Sequence, residues 1–124
     1  MEILTTENSD PKPRPIDPRL EHARTNMRLA VALRKTNYSE VARAAGLSRN
    51  ALSQFVDGRT TLSYINMLKI CDVLDIPIGS VHRPDAISSA RLRLHRALEA
   101  LPDHALEDVA EVVRAAQSRQ RRDN

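Results

Sequence analysis

Hydrophobic residues recur at intervals of three and four along most of the chain, which is the spacing of one face of an α-helix. The pattern is clearest in the stretch 37–58, where it predicts two short helices, 37–45 and 48–57, joined at Gly46. The apolar positions are Val41, Ala42 and Ala45 in the first helix and Leu52, Phe55 and Val56 in the second. Helices this short are marginal in water, so they need packing partners from elsewhere in the chain.

The ends of these two helices carry residues that favour helix starts and stops. Asn37 and Glu40 form an N-x-x-E variant of the capping box at the start of the first helix. Ser48 is a good N-cap for the second helix, and Gly58 supplies its end.

The same spacing predicts helices on both sides of this pair. Residues 19–35 form a first helix, residues 62–75 a fourth, and residues from about 78 to 82 a brief fifth that closes the core. In the first helix the expected buried stripe is Leu29, Ala30 and Leu33, extended by Ala23 or Met27. In the fourth helix the expected buried face is Tyr64, Met67, Ile70, Cys71 and Leu74.

A second apolar region follows the break at Pro84. Residues 88–118 are predicted to form a helical hairpin that turns at Pro102-Asp103, with residues 119–124 as a frayed tail. The apolar positions are Leu92, Leu94, Leu98 and Leu101 in its first arm and Leu106, Val109, Ala110, Val113 and Ala116 in its second. A hairpin of this size cannot bury both faces by itself, so it packs on the rest of the chain or pairs with its twin from another chain.

The helix 48–57 has a polar side opposite its apolar side. This side carries Arg49, Asn50, Ser53, Gln54 and Asp57. Arginine can donate two hydrogen bonds to guanine, and asparagine or glutamine can bond adenine with both amide atoms. Together with Val41-Ala42, Gly46-Leu47-Ser48, Leu52-Ser53, Phe55 and Gly58, the stretch resembles the helix-turn-helix of the Xre/Cro family. These are phage-repressor-like DNA-binding domains, and the resemblance covers roughly residues 20–82.

The resemblance implies an all-α, five-helix domain whose third helix enters the major groove of DNA. The residues implied to read bases are Arg49, Asn50, Ser53 and Gln54. The residues expected to contact phosphates around the rim are Tyr38, Arg43, Arg59, Thr61 and Ser63. Phosphate would repel Asp57 unless a cation pairs with it, and Arg59 and Arg43 are the candidates.

The distribution of charge favours a polyanionic partner. The 124-residue chain has a formal net charge of +3, yet residues 19–60 alone carry eight basic and three acidic side chains. Residues 1–18 hold Pro11, Pro13, Pro15 and Pro18 and are expected to be a disordered arm. The alternative is an arm whose Lys12 and Arg14 touch DNA, although its four acidic residues oppose this.

Other classes of function find little support in the sequence. The single cysteine, Cys71, allows no internal disulfide, and no signal segment or membrane-length apolar run is evident, so we expect a cytoplasmic protein. Cys71 is expected to be a buried apolar residue rather than a reactive thiol. The histidines do not have the spacing of metal ligands, and the sequence has no glycine-rich loop that would bind a phosphate group. We therefore expect no enzyme, no cofactor and no identifiable small-molecule ligand.

The sequence therefore predicts an all-α protein with a disordered proline-rich arm (1–18), a helix-turn-helix domain (19–83), a helical hairpin (84–118) and a tail (119–124). The expected function is a transcriptional regulator that binds double-stranded DNA, acting as a repressor and as a homodimer through residues 88–118. The alternative is an antitoxin-like or other interaction protein whose hairpin or arm binds a partner protein. A more distant alternative is a helix-turn-helix without a DNA role.

Overall fold

The computed structural model describes residues 16–124, and in this part of the chain it contains seven helices and no strand. The helices are α1 (Pro18–Leu33), α2 (Tyr38–Ala44), α3 (Ala51–Val56), α4 (Tyr64–Leu74), α5 (Ile78–Val81), α6 (Ser89–Glu99) and α7 (Asp103–Asp123). The predicted all-α class is confirmed. Most of the predicted arm, including Lys12 and Arg14, lies outside the described residues.

Helix α1 begins inside the segment predicted to be a disordered arm. The Asp17 carboxylate accepts a hydrogen bond from the Arg19 backbone N–H at 2.9 Å, and Pro18 occupies the first helical position. Proline suits this position because its fixed φ matches the helix and no N–H is needed there. The Arg19 side chain also bonds the Asp17 carboxylate at 2.6 Å and holds the pKa of that carboxyl well below its ordinary value.

The buried face of α1 differs from the predicted one. Ala23, Met27 and Ala30 are fully buried, whereas Leu29 and Leu33 lie on the opposite side, 43% and 38% exposed. The prediction for these two leucines is wrong because the core-facing side of α1 also carries polar groups with main-chain partners. The buried polar residues of α1 are Arg24 and Asn26. The pattern of hydrophobic positions in the sequence does not identify buried polar residues.

Four consecutive helices end in the same left-handed turn. The residue after the last helical turn has a positive φ in each case: Lys35 (55°), Gly46 (75°), Gly58 (85°) and Asp75 (54°). The next residue then donates its N–H back to a carbonyl of the helix, as Ile76 does to Cys71 at 3.0 Å. This Schellman geometry satisfies carbonyls that a helix end leaves unpaired and reverses the chain within a few residues.

Helices α1 to α5 enclose a core around the side chain of Phe55, which is fully buried. From α4 the predicted Met67, Ile70, Cys71 and Leu74 contribute to it. The prediction for Tyr64 is wrong: it stands at the first turn of α4, beyond the edge of the core, and is 72% exposed. Burial, with the neighbouring Asp72 carboxylate, raises the pKa of the Cys71 thiol to about 12.

The core does not stop at residue 83, where the sequence places the end of the domain. Ile87 and Leu92 are buried in the same cluster as Phe55, so the start of α6 belongs to the packed body. Beyond this point burial ends: Leu94 is 56% exposed and no residue of α7 is buried. Helix α7 nevertheless continues to Asp123, through the predicted frayed tail, with basic residues in its last turn where they favour a helix C-terminus.

No helix among the described residues is both long and apolar enough to cross a membrane.

Candidate nucleic-acid interface

A tight turn at Gly46 sets the angle between α2 and α3. The Leu47 N–H donates to the Ala42 carbonyl at 2.9 Å and the Gly46 N–H to the Arg43 carbonyl at 3.0 Å. Gly46 has a φ of 75°, and a Cβ added there would meet no atom within 4 Å. Glycine is therefore favoured at this position by backbone conformation and not by lack of space. The turn confirms the predicted hinge.

Helix α3 begins later than the sequence predicts. Its first residue is Ala51, and the N-cap position belongs to Asn50, whose side chain makes no capping hydrogen bond. The predicted cap at Ser48 is wrong. The carbonyl of Ser48 instead accepts the Ala51 N–H at 3.0 Å, so residues 48–51 form a tight turn before the helix. Arg49 thus stands on this turn, ahead of α3.

The four predicted base-reading residues occupy this turn and the first part of α3. Arg49 and Asn50 are exposed, and Ser53 and Gln54 are half-buried. The Ser53 hydroxyl donates to the Asn50 carbonyl at 3.1 Å, which leaves its oxygen as an acceptor for a donor from outside. The arrangement presents a guanidinium and two amides at the N-terminal end of a short helix. Their contact with bases remains a prediction.

The predicted phosphate contacts surround this end of the domain. Tyr38 opens α2 and packs partly against the core, Thr61 is exposed, and the Ser63 hydroxyl accepts the Asn66 N–H at 3.2 Å as the N-cap of α4. Since a hydroxyl that accepts still has a proton to donate, Ser63 can also bond a phosphate.

The two arginines predicted to contact phosphate each pair with a carboxylate. Arg43 pairs with Glu40 one turn earlier on α2, and Arg59 pairs with Asp57 at 2.9 Å. The second pair agrees with the expectation that a cation neutralises Asp57. All four side chains are more than half exposed, so these pairs are weak and can be exchanged for phosphate contacts.

Two arginines of α1, the buried Arg24 and the more exposed Arg28, brace the C-terminal end of α3. The Arg24 guanidinium donates to the Phe55 carbonyl at 2.8 Å and to the Thr60 carbonyl at 3.3 Å, and lies 5.2 Å from the centre of the Phe55 ring. The Arg28 guanidinium donates to the Val56 carbonyl at 2.9 Å. Cations are favoured at helix C-termini, where carbonyls lack partners. The sequence does not predict these contacts, because in it both residues contribute only to the count of basic side chains.

The brace limits which arginines are free to contact a ligand. Arg24, Arg28 and Arg34 all donate to main-chain carbonyls, Arg34 to Leu74 at 2.8 Å, and Arg24 is only 6% exposed. Much of the basic excess of residues 19–60 therefore holds helices together. Arg49 is different, because it forms no ion pair with any other described residue and remains exposed beside α3.

Arg43 and Arg49 line one shallow hollow between α2 and the turn before α3, together with Ser39 and Leu47. The hollow brings a predicted phosphate contact next to a predicted base contact. Within the described residues, no group of three His, Cys, Asp or Glu side chains is placed to hold a metal ion.

Comparison with known proteins gives one match. A family model described as a Cro/C1-type HTH DNA-binding domain matches residues 26–81. The matched range runs from the middle of α1 to the end of α5 and contains the turn at Gly46 and the whole polar row before and on α3. No curated protein and no solved structure matches the chain.

Proposed function

Because residues 26–81 belong to the Cro/C1-type helix-turn-helix DNA-binding domains, we propose that this chain is a sequence-specific transcriptional regulator of double-stranded DNA. Its proposed action is repression, by a homodimer on a pseudo-palindromic operator, with α3 of each copy in a major groove. The proposal includes no catalytic step and no cofactor.

The single observation that supports sequence-specific binding is the row of polar side chains before and on α3, in which Arg49 and Asn50 are exposed and Ser53 and Gln54 are half-buried. Arg49 and Asn50 are exposed on the turn before α3, and neither side chain forms a hydrogen bond or ion pair with another described residue, so both remain available. The N-terminal residues of a recognition helix make most of the base contacts in this class of domain. A guanidinium and an amide at this place suit guanine and adenine edges in the major groove.

The homodimer is proposed because one domain of this size reads only a few base pairs. Two copies related by a twofold axis read two half-sites about one helical turn apart, and their affinities combine. Helix α7 supports this step, since its apolar side chains are exposed in the single chain.

The proposal can be tested by selecting bound sites from random duplex DNA with the full chain. We expect a selected site with two half-sites in inverted repeat, spaced by about 10 base pairs. Affinity for it should fall linearly with salt on logarithmic axes, because bound phosphates release counterions. Selection of an asymmetric site would contradict the homodimer, and no enrichment of any duplex would contradict sequence-specific binding.

Arg49→Ala tests the assignment of the reading face. The variant should lose about 1–3 kcal/mol of specific binding and relax the preference at one base pair of each half-site. Arg93→Ala is the matched control, because Arg93 is an exposed arginine on α6, outside the matched domain. Equal affinities of the two variants for the selected site would reject this placement of α3.

The exposed face of α7 also favours a second candidate, an antitoxin-like or other protein that binds a partner protein through its C-terminal helices. This candidate predicts a chain that stays monomeric at micromolar concentration and binds DNA, if at all, as a single copy.

A further inference from the structure

Helix α7 carries an apolar stripe that the described part of the chain covers only in part. At 100° per residue, one side of the helix bears Ala105, Leu106, Val109, Val112, Val113 and Ala116. Val112 is 67% exposed and Val113 is 46% exposed. The stripe spans residues 105–116, about 18 Å or three helical turns, so it is long enough to pack along a second helix.

The charges of α7 are separated along its length. The acidic residues Asp103, Glu107, Asp108 and Glu111 lie in the first half, and the basic residues Arg114, Arg119, Arg121 and Arg122 lie in the second, followed by Asp123 at the last position of the helix. Helical spacing places two opposite charges on each border of the apolar stripe. On one border lie Asp103 and Arg121, and on the other lie Asp108 and Arg119. All four are exposed, and none forms an ion pair with another described residue.

We propose that α7 pairs with α7 of a second copy in an antiparallel arrangement. This inference rests on the homodimer of the proposed function and specifies its interface. In an antiparallel pair the same border of each helix meets, running in opposite directions. Asp108 of one copy then faces Arg119 of the other, and Asp103 faces Arg121, with Val112 and Val113 at the twofold axis.

The same charges disfavour a parallel pair of α7 helices and a pair of α7 with a different protein. In a parallel pair, Asp103 and Asp108 of the two copies would meet at one end and Arg119 and Arg121 at the other, so like charges would repel at both ends. A partner of a different sequence would need the charge order of α7 in an antiparallel pair, or the reverse order in a parallel pair, whereas a second copy of α7 has the required order already. Self-complementarity of the two halves therefore favours a second copy of this chain.

Charge-reversal variants test whether Asp108 of one copy faces Arg119 of the other. Asp108→Arg places two cations opposite each other, and Arg119→Asp places two anions opposite each other, at two symmetric positions of the dimer. Each single variant of the full chain should raise the dimer Kd about tenfold at low ionic strength, and the double variant D108R/R119D should restore it. Sedimentation equilibrium without DNA measures these constants.

Matched controls carry the same change of charge on the outer side of α7. Glu111→Arg and Arg122→Asp lie away from the stripe and should leave the dimer Kd within about twofold of the unchanged chain. Because α7 has no buried residue, none of these variants should alter the fold of the domain, and circular dichroism checks this.

Three outcomes would overturn the inference: a monomer at all concentrations, single reversals that strengthen the dimer as a parallel pair predicts, or reversals that act no differently from the outer-face controls. A failure of the α7 pairing can be distinguished from a failure of sequence-specific DNA binding. A monomeric chain that still enriches a DNA half-site through Arg49 retains the DNA-binding proposal. A dimer with the expected reversal pattern that enriches no DNA retains the α7 pairing alone.

Discussion

Replacing Arg24 by methionine should lower stability more than the loss of any surface arginine, although a count of charges treats them alike. Arg24 is 6% exposed and joins α1 to the C-terminal end of α3, the element that we propose enters the DNA groove. Methionine keeps most of the apolar stem and removes the guanidinium. The variant therefore isolates the polar and cation–π contacts from simple packing.

The magnitude follows from the individual contacts. The 2.8 Å bond to the Phe55 carbonyl is charge-assisted and contributes about 1.5–3 kcal/mol, and the guanidinium over the Phe55 ring adds about 1–2 kcal/mol. The Phe55 carbonyl keeps a second partner, the Gly58 N–H at 3.0 Å, so it does not become unsatisfied. The pair with Glu21, whose side chain is 59% exposed, contributes little. Desolvation of the guanidinium offsets part of the gain, leaving a net cost of about 2–3 kcal/mol.

Thermal unfolding followed by circular dichroism measures this cost. For a domain of this size we expect the Tm of Arg24→Met to fall by about 10–15 °C. Arg93→Met serves as the control for loss of one exposed positive charge on a helix, and its Tm should change by less than about 3 °C. Similar Tm values for the two variants would refute the brace. Arg24→Lys should fall between them, because an ammonium cannot donate in the planar fork of a guanidinium.

Three further predictions concern packing, turn geometry and the buried thiol. Leu92→Ala should cost about 2–3 kcal/mol in urea unfolding, whereas Leu94→Ala, at a 56% exposed position of the same helix, should cost less than about 1 kcal/mol; equal costs would remove α6 from the core. Gly46→Ala should destabilise by about 1 kcal/mol through its positive φ, whereas Gly79→Ala, inside α5 and with open space around it, should stabilise by about 0.5 kcal/mol. An unchanged stability of Gly46→Ala would contradict the turn geometry. The Cys71 thiol, whose pKa is raised to about 12 from an ordinary 9.0, should resist iodoacetamide at pH 8 until the chain is unfolded. Because the unfolded thiol ionises first, stability should also fall as pH rises above about 9; rapid labelling of the folded chain would show that the thiol is accessible.

The parts of the fold that follow from apolar spacing and glycine positions were predictable from sequence. Met67, Ile70, Cys71 and Leu74 repeat at three and four residues and form the buried face of α4. Gly46 precedes a run that begins a new helix, and its left-handed turn follows from its lack of a Cβ. These features are local, so the chain reveals them without knowledge of its partners.

The parts that failed depend on contacts between residues distant in sequence. Leu29 and Leu33 have an apolar character suited to a core, but α1 is rotated so that Arg24 and Asn26 face inward. Asn26 donates to the Val81 carbonyl at 2.6 Å, across a separation of 55 residues. A buried polar group of this kind is stable only with its partner in place, and one sequence does not identify that partner.

The use of arginines inside the domain bears on how the chain would hold DNA. Arg24, Arg28 and Arg34 satisfy carbonyls at helix ends, while Arg43 and Arg59 are paired with carboxylates at the surface. The guanidinium groups keep their charge, but those of Arg24, Arg28 and Arg34 are held at helix ends, so few arginines of a single domain can reach a phosphate without giving up a partner. We therefore expect base contacts, and a second copy that doubles them, to add substantially to the affinity. The proposed pairing of α7 would bring that second copy to the DNA. The way α1 uses its arginines inside one domain is thus linked to a proposed dimer surface at the other end of the chain.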